Sequence, residues 1–386
     1  MKSFISSYVQ APKILTPDDG YHYFFGYYDL PATDLEGRHL CHRVPFMDRM
    51  QEADDVAELG YVKEGAFTSF ATTTAWNFQQ GALLQFYSSK SDTVCYNFVQ
   101  NGRFCTVIHD LRSGEKQYTD RAAATISEDG RWGLGVNFGR IFAFRPGYGY
   151  ADFPDKNAEV NAPKDDGVFL IDMETGCSKL LVSYAQMAPI SGFDPSKKIL
   201  VNHINFSPDC NHYVMLVRDF PTPEKKGWST SLMLGDRSGK LRTVLANTVV
   251  SHYRWVNARE LVVYCSVNGR KGVYCMDMES DVQAAYSIPY MQTAQNQDIH
   301  CNLVPNGKYV IGDGYPMDGY RYVVAYNREN GISKTLFGVA TVVPPVIDIR
   351  CDLHVRFSAD GRWITYDTTE NARRQIAAIS TDVLSF

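Results

Sequence analysis

Five of the nine histidines obey one rule of spacing. His22, His203, His252, His300 and His354 each stand three residues before an aromatic or apolar residue that leads toward a turn and a β-rich run, as in DLHVRFSADGRWITYDT around His354. Those anchor residues are Phe25, Phe206, Trp255, Leu303 and Phe357; Phe78 and Ile126 extend the series, with Ala75 and Ala123 at the histidine position. Chance would put fewer than one histidine there. Neutral imidazoles gathered at one level form a ligand set for a divalent transition metal. His252, His300 and His354 are the best trio. Asp352, two residues before His354, shares its side of an extended strand and adds a carboxylate. A histidine at a repeated turn can instead serve structure, by satisfying backbone groups of a neighbouring unit.

The elements that must position these side chains follow from the same spacing. The seven anchors lie 48 to 54 residues apart, except for one interval of 80 that contains RPGYGYADFPDKNAEVNAPKDDG, a stretch with the composition of a loop. Each unit reads as an inner strand, a turn of S-x-D-G type and a second, apolar strand such as HYVMLV, ELVVYCS or RWITYD. A third strand ending near Asp and a fourth follow, as in GVFLIDMETGCSKLLV and GVYCMDMESDVQAAY. Four short strands per unit, seven times over, predict an all-β fold: a seven-bladed β-propeller. It forms a single domain over residues 1–386, with a loop insertion around 142–166. The last unit is one strand short after RQIAAIS, so the N-terminal APKILT is expected to complete it and close the ring, removing an exposed edge. Inner strands line a propeller's channel, so equivalent positions on them should converge at one end of the axis.

Composition narrows the partners. The chain is 45% hydrophobic and 21% charged, which suits a soluble globular protein. A net charge of −5 argues against nucleic acid, and no apolar run of about 18 residues suggests a membrane span. The nine cysteines are scattered without C-x-x-C pairs and no apolar leader is visible, which reads as reduced thiols in a cytoplasmic protein; a periplasmic protein trimmed of its leader would look the same. No G-x-S-x-G, Walker or Rossmann fingerprint sits in a strand-to-helix context.

The H-x-x-[FW] inner strands, SHYRW at His252, the HCNLVPNGKYVIGDG unit at His300 and DLHVRFSADGRWITYDT together resemble the oligogalacturonate lyases, most strongly from His203 to Asp367. The resemblance implies a seven-bladed propeller that cleaves short uronate oligosaccharides by β-elimination, using manganese held by histidines and a glutamine. His252 matches the metal histidine of the family's T-H-E-[FW] strand, and His354 matches the second histidine of its H-x-H strand. Asp352 stands where that strand has its first histidine, and the family's upstream glutamine has no counterpart around Ile349. His300 aligns with a histidine of the family's S-H-L unit. The cofactor implied is a divalent metal, Mn2+ in the first place, on His252, His300, Asp352 and His354. His203, in VNHINFSPD, is the expected base or else a fourth ligand.

Elimination from a uronate needs its carboxylate neutralised, a base for the adjacent C5 proton and a donor for the leaving oxygen. Arginine forks suit the carboxylate. Arg140, grouped with His203 as catalytic, and Arg145 stand in NFGRIFAFRPGYGY, while Arg350 and Arg356 flank His354. Trp76, Gln79 and Gln80 of AWNFQQ, with Tyr148, Tyr150 and His22, are expected to contact the sugar. Each arginine could equally be an interblade ion pair, and the loop tyrosines plain turn residues. Two other readings stay open: a non-catalytic propeller that binds a glycan or protein, which needs no stoichiometric metal, and a propeller glycoside hydrolase, which needs two carboxylates. Asp298 and Asp352 are candidates for the latter, since Asp129, Asp209 and Asp360 belong to turns. The expected partner is a uronide oligosaccharide, with neither nucleic acid nor membrane.

Overall fold

Period-two alternation in the strands does not separate a wet face from a dry one, because every blade is covered on both sides. In the second strand of the fourth blade (His212–Asp219), Val214 and Leu216 join a cluster with Tyr253, Leu261 and Val263 of the fifth blade. Met215 and Val217, pointing the other way, pack with Leu134 and Leu170 of the third. Such strands read as continuous apolar runs.

The computed structural model describes residues 8, 10–87, 92–280, 286–287 and 298–386. These form seven four-stranded antiparallel sheets, the blades of a β-propeller. The fourth blade is typical, running Ile199–Phe206, His212–Asp219, Thr230–Asp236 and Leu241–Thr248 from the inside outward. In the last blade, the strand Gln375–Ser380 is flanked on its outer side by Lys13–Ile14, with Lys13 opposite Ala378. The N-terminal strand therefore closes the ring as its sequence predicts. Of the expected fourth strand of the fifth blade, residues 281–285 lie outside the described residues, while Tyr286–Ser287 pairs with Tyr274 and Cys275.

Two inner strands sit in a different register from the one their aromatic anchors suggest. In the first blade the inner strand is only His22–Phe24, and the hairpin turn comes later, where Asp34 Oδ1 accepts from the backbone N–H groups of Glu36 and Arg38. Between them the chain turns away at Gly26, whose φ of 133° favours glycine and whose Cβ would lie 2.8 Å from the Gln80 carbonyl oxygen. In the second blade the inner strand is Gln85–Phe86. Phe25 and Phe78 thus precede their turns by several residues, and both are fully buried.

The insertion is also more ordered than a plain loop. It leaves the third blade between Trp132–Gly135 and Gly167–Asp172 and opens with the helix Phe138–Phe144, capped by the Asn137 side chain. Arg140 is buried within it. Its guanidinium pairs with Asp155 at 2.8 Å and donates to the carbonyls of Asn157, Val160, Asn161 and Ile199. All nine cysteines are free thiols. Among the described residues no helix is long and apolar enough to cross a membrane.

Candidate functional site

The inner strands deform at the histidine level. Register shifts interrupt pairing between Ala123 and Thr125, between Val201 and His203, and between Val250 and Tyr253. Such bulges re-aim side chains. In the last blade the same effect comes from His354 itself, whose φ of 46° is rare for a non-glycine residue. The sixth blade stays regular, and there His300 lies directly across the ladder from Asp313.

The result is a tight imidazole cluster on the propeller axis. The rings of His252 and His300 are 4.1 Å apart, and those of His300 and His354 are 4.5 Å apart. His203 joins through Tyr27, which lies 4.9 Å from His203 and 5.1 Å from His354, ring to ring. His22 does not join. It is half-buried at the other end of the first blade's inner strand, where its Nδ1 accepts from the Arg374 N–H.

Within the cluster, ligand atoms of His300, Asp352 and His354 lie within 4.8 Å of one another, and all three residues are buried. Each imidazole is fixed from behind. His300 Nδ1 is 3.2 Å from Asp313 Oδ2, and His354 Nδ1 donates to the Gly26 carbonyl at 2.7 Å. That leaves His300 Nε2 and His354 Nε2 buried with no hydrogen-bond partner, and Asp352 Oδ2 likewise accepts none. Asp352 Oδ2 is nonetheless 2.7 Å from Arg350 Nη2, and Arg321 pairs with Oδ1 at 2.6 Å, so this carboxylate is already matched in charge. Burial would raise its pKa, but Arg350 and Arg321 hold it well below the usual carboxylate range. Burial would lower the pKa of His300, but Asp313 and Asp352 raise it overall, and its Nε2 lies 3.7 Å from Asp352 Oδ2, so an ion held there would take the place of a proton. Two imidazoles backed by acceptors, with a converging ionised carboxylate, have the chemistry of a transition-metal site. The donor set fits a divalent ion.

His252 stands beside this set, with its Nδ1 2.9 Å from Asp298 Oδ1. Burial, and next to it His300, hold its pKa down to about 4 against the pull of Asp298, so the ring is neutral near pH 7. His203 has its own carboxylate: Nε2 is 3.2 Å from Asp29 Oδ2, which also accepts from Asn205, while Nδ1 is buried and unpartnered. Both histidines line a cavity of about 220 Å³ together with Tyr27, Arg145, Tyr148, Arg218, Trp228, Asp298 and Tyr315. A larger cavity of about 630 Å³, between the second and third blades, contains none of these histidines.

The expected substrate groups divide. Arg145 and Tyr148 reach the cavity, with Arg145 pairing with Asp348 at 2.6 Å. Arg350 sits behind it, bridging Asp352 and the Tyr148 hydroxyl. Arg356 is buried against Asp367 at 2.8 Å. Trp76, Gln79 and Gln80 are buried, with Trp76 Nε1 on the Asp55 carbonyl and Gln79 Nε2 on those of Asp348 and Arg350. Tyr150 is buried and accepts from Asn97. Arg140, spent within the insertion, offers no hydrogen-bonding edge to the cavity. These interior placements depart from the expectation of sugar contact: for Trp76, Gln79 and Gln80 the reason is the register of the second blade, and for Arg140, Tyr150 and Arg356 it is a partner inside the fold, Asp155, Asn97 and Asp367 respectively.

Several groups in the site carry no sequence signal of the repeat kind. Tyr27, Tyr28 and Asp29 enter on the segment that leaves the first blade at Gly26; a glycine between aromatic doublets, FFGYY, was the available hint. Arg218 ends the apolar strand HYVMLVRD. Its guanidinium reaches Asn202, and among the described residues it has no carboxylate partner.

Among solved structures, an oligogalacturonate lyase from Vibrio parahaemolyticus matches 98% of this chain and 95% of its own, with a TM-score of 0.65 at 14% identity. An oligogalacturonate lyase in complex with manganese matches 99% and 97%, with a TM-score of 0.66 at 16% identity. The chain shares the fold of the oligogalacturonate lyases. The fold is not confined to them: a prolyl endopeptidase matches 94% of this chain and 48% of its own, with a TM-score of 0.54 at 12% identity. No protein-family model and no curated protein matches the sequence.

Proposed function

We propose that the chain is a metal-dependent lyase that cleaves uronate-containing oligosaccharides by β-elimination. The observation that carries this reading is the meeting of two orphaned imidazole nitrogens and a carboxylate oxygen beside a cavity that also holds Arg145 and Arg218. Manganese in the complex of a lyase of the same fold makes Mn2+ the first metal to try. His300, His354 and Asp352 would hold it. Bound there, a divalent ion supplies Lewis-acid charge that stabilises the carbanion-like state beside a uronate carboxylate.

The remaining work belongs to side chains. Arg218, buried and without a carboxylate partner among the described residues, is the cation best matched to an anionic sugar, because Arg145 is partly satisfied by Asp348. Trp228 at the cavity wall offers a stacking face. The base takes the C5 proton next to the bound carboxylate. His252 suits that role better than His203, since it abuts His300, is neutral, and has its Nδ1 fixed by Asp298, leaving Nε2 for the substrate. His203 remains as a group that hydrogen-bonds the sugar from the far wall.

The test is incubation with a panel of oligouronides, with Mn2+ or with chelator, while following the near-ultraviolet absorbance of the new double bond. A metal-dependent rise is expected, and His252→Ala should lower it about 10²- to 10⁴-fold. Reducing sugar released without that absorbance would favour a hydrolase, and no reaction on any member would favour a binding module.

A further inference from the structure

Elimination leaves one proton unaccounted for, the one that the departing C4 oxygen must acquire. We propose that the Tyr27 hydroxyl donates it, an inference that rests on the lyase reading above. Tyr27 lines the cavity, with its ring edge-on to His203 at 4.9 Å and 6.3 Å from His252. Gly26 makes this possible: its left-handed backbone swings the chain off the inner strand, and its carbonyl is clamped by His354 Nδ1. The adjacent ring is therefore held by the same contact that orients a metal-site histidine.

Of the other phenols near the axis, two are hydrogen-bonded to neighbouring protein groups. The Tyr28 hydroxyl donates to the Tyr253 carbonyl at 2.9 Å and accepts from the Tyr253 N–H at 3.2 Å. The Tyr148 hydroxyl accepts from Arg350 at 3.0 Å. Tyr315 lines the same cavity, with its ring against the guanidinium groups of Arg321 and Arg350, and is the phenol that the experiment must tell apart from Tyr27. Tyr27 has no hydrogen-bond partner among the described residues, and burial, with Tyr148 and Asp29 close by, holds its pKa above the ordinary phenol value, so the hydroxyl carries its proton at neutral pH.

The step balances. The His252 Nε2 lone pair takes the C5 proton, the C5–H electrons form the C4=C5 double bond, and the C4–O bond breaks with its pair on oxygen. That oxygen takes the proton of Tyr27 Oη, and solvent then returns a proton to the phenolate and removes one from His252. The net change is one ether split into an alkene and an alcohol.

The experiment compares Tyr27→Phe and Tyr315→Phe on two substrates: an oligogalacturonate, and a galacturonate carrying a nitrophenyl ether at C4, whose leaving oxygen needs no proton. Tyr27→Phe should lose about 10²- to 10⁴-fold in kcat on the oligosaccharide and less than about tenfold on the ether, with KM and Mn2+ affinity little changed. Tyr315→Phe should show no such split. Equal losses on both substrates would make Tyr27 a packing residue and overturn the proposal, as would full activity. If Tyr27→Phe fails to fold, the wild-type enzyme still decides, because a steep dependence of rate on leaving-group acidity would mean that nothing protonates the oxygen. Absence of any unsaturated product from wild type overturns the lyase reading itself, and this inference with it.

Discussion

At the scale of single residues, the site is a set of paired groups with their second partners withheld. His300 and His354 each spend Nδ1 on a protein acceptor, and their buried Nε2 atoms make no hydrogen bond, that of His300 lying 3.7 Å from Asp352 Oδ2. Leaving buried polar atoms unpaired costs about 1–3 kcal/mol each, so such atoms in convergence call for a ligand. Isothermal titration of chelator-stripped protein should therefore show one Mn2+ site. His354→Ala should weaken it at least about tenfold, and Asp352→Asn less, because Arg321 and Arg350 already neutralise that carboxylate. An unchanged isotherm in His354→Ala would place the metal elsewhere.

At the scale of elements, the insertion is fastened to the start of the last inner strand. Asp348 pairs with Arg145, Gln79 bonds the carbonyls of Asp348 and Arg350, and Gln51 bonds those of Pro146 and Gly149. Gly147 passes so close that a Cβ there would meet Asp348 at 2.7 Å. This latch brings Arg145 and Tyr148 to the cavity from a part of the chain some two hundred residues away from Asp348. Asp348→Ala should loosen it, raising KM for an oligouronide several-fold while leaving Mn2+ binding intact. Faster amide exchange across residues 145–150 would be the direct readout, and unchanged exchange would show that the helix Phe138–Phe144 holds the insertion alone.

At the scale of the whole molecule, stability is tied to pH through buried histidines outside the site, one of which, His39, contacts Thr365 of the last blade through Nε2 at 3.1 Å. Burial, with Arg356 near by, pushes His39 down to about 3, and burial brings His42 to about 4. Both stay neutral when folded, whereas in the unfolded chain they take protons below about pH 6.5. Stability from these two groups is therefore full above about pH 6.5 and is lost as pH falls toward their folded values. Each contributes about 1.4 kcal/mol per pH unit in that window. Denaturant unfolding at pH 7, 6 and 5 should show a progressive loss that His39→Gln reduces, and a flat profile would contradict the assignment.

The division between sequence and structure follows from range. Strand–turn chemistry is local, so the hairpin turns and apolar runs of the third to seventh blades were legible, as was the missing strand that Lys13–Ile14 supplies. The four histidines that meet on the axis, His203, His252, His300 and His354, were legible for the same reason: a repeat position becomes a place once the ring is closed. The first two blades misled because Gly26 in one and Gly81 in the other, both at positive φ, turn the chain after the aromatic, and an aromatic before such a break looks like one before a hairpin. What only tertiary structure decided is which nitrogen of each imidazole is free, which arginine lacks a carboxylate, and that Tyr27 stands among them. Those depend on partners far apart in the chain, such as Gly26 with His354 and Arg145 with Asp348, and no local pattern encodes a contact across the ring.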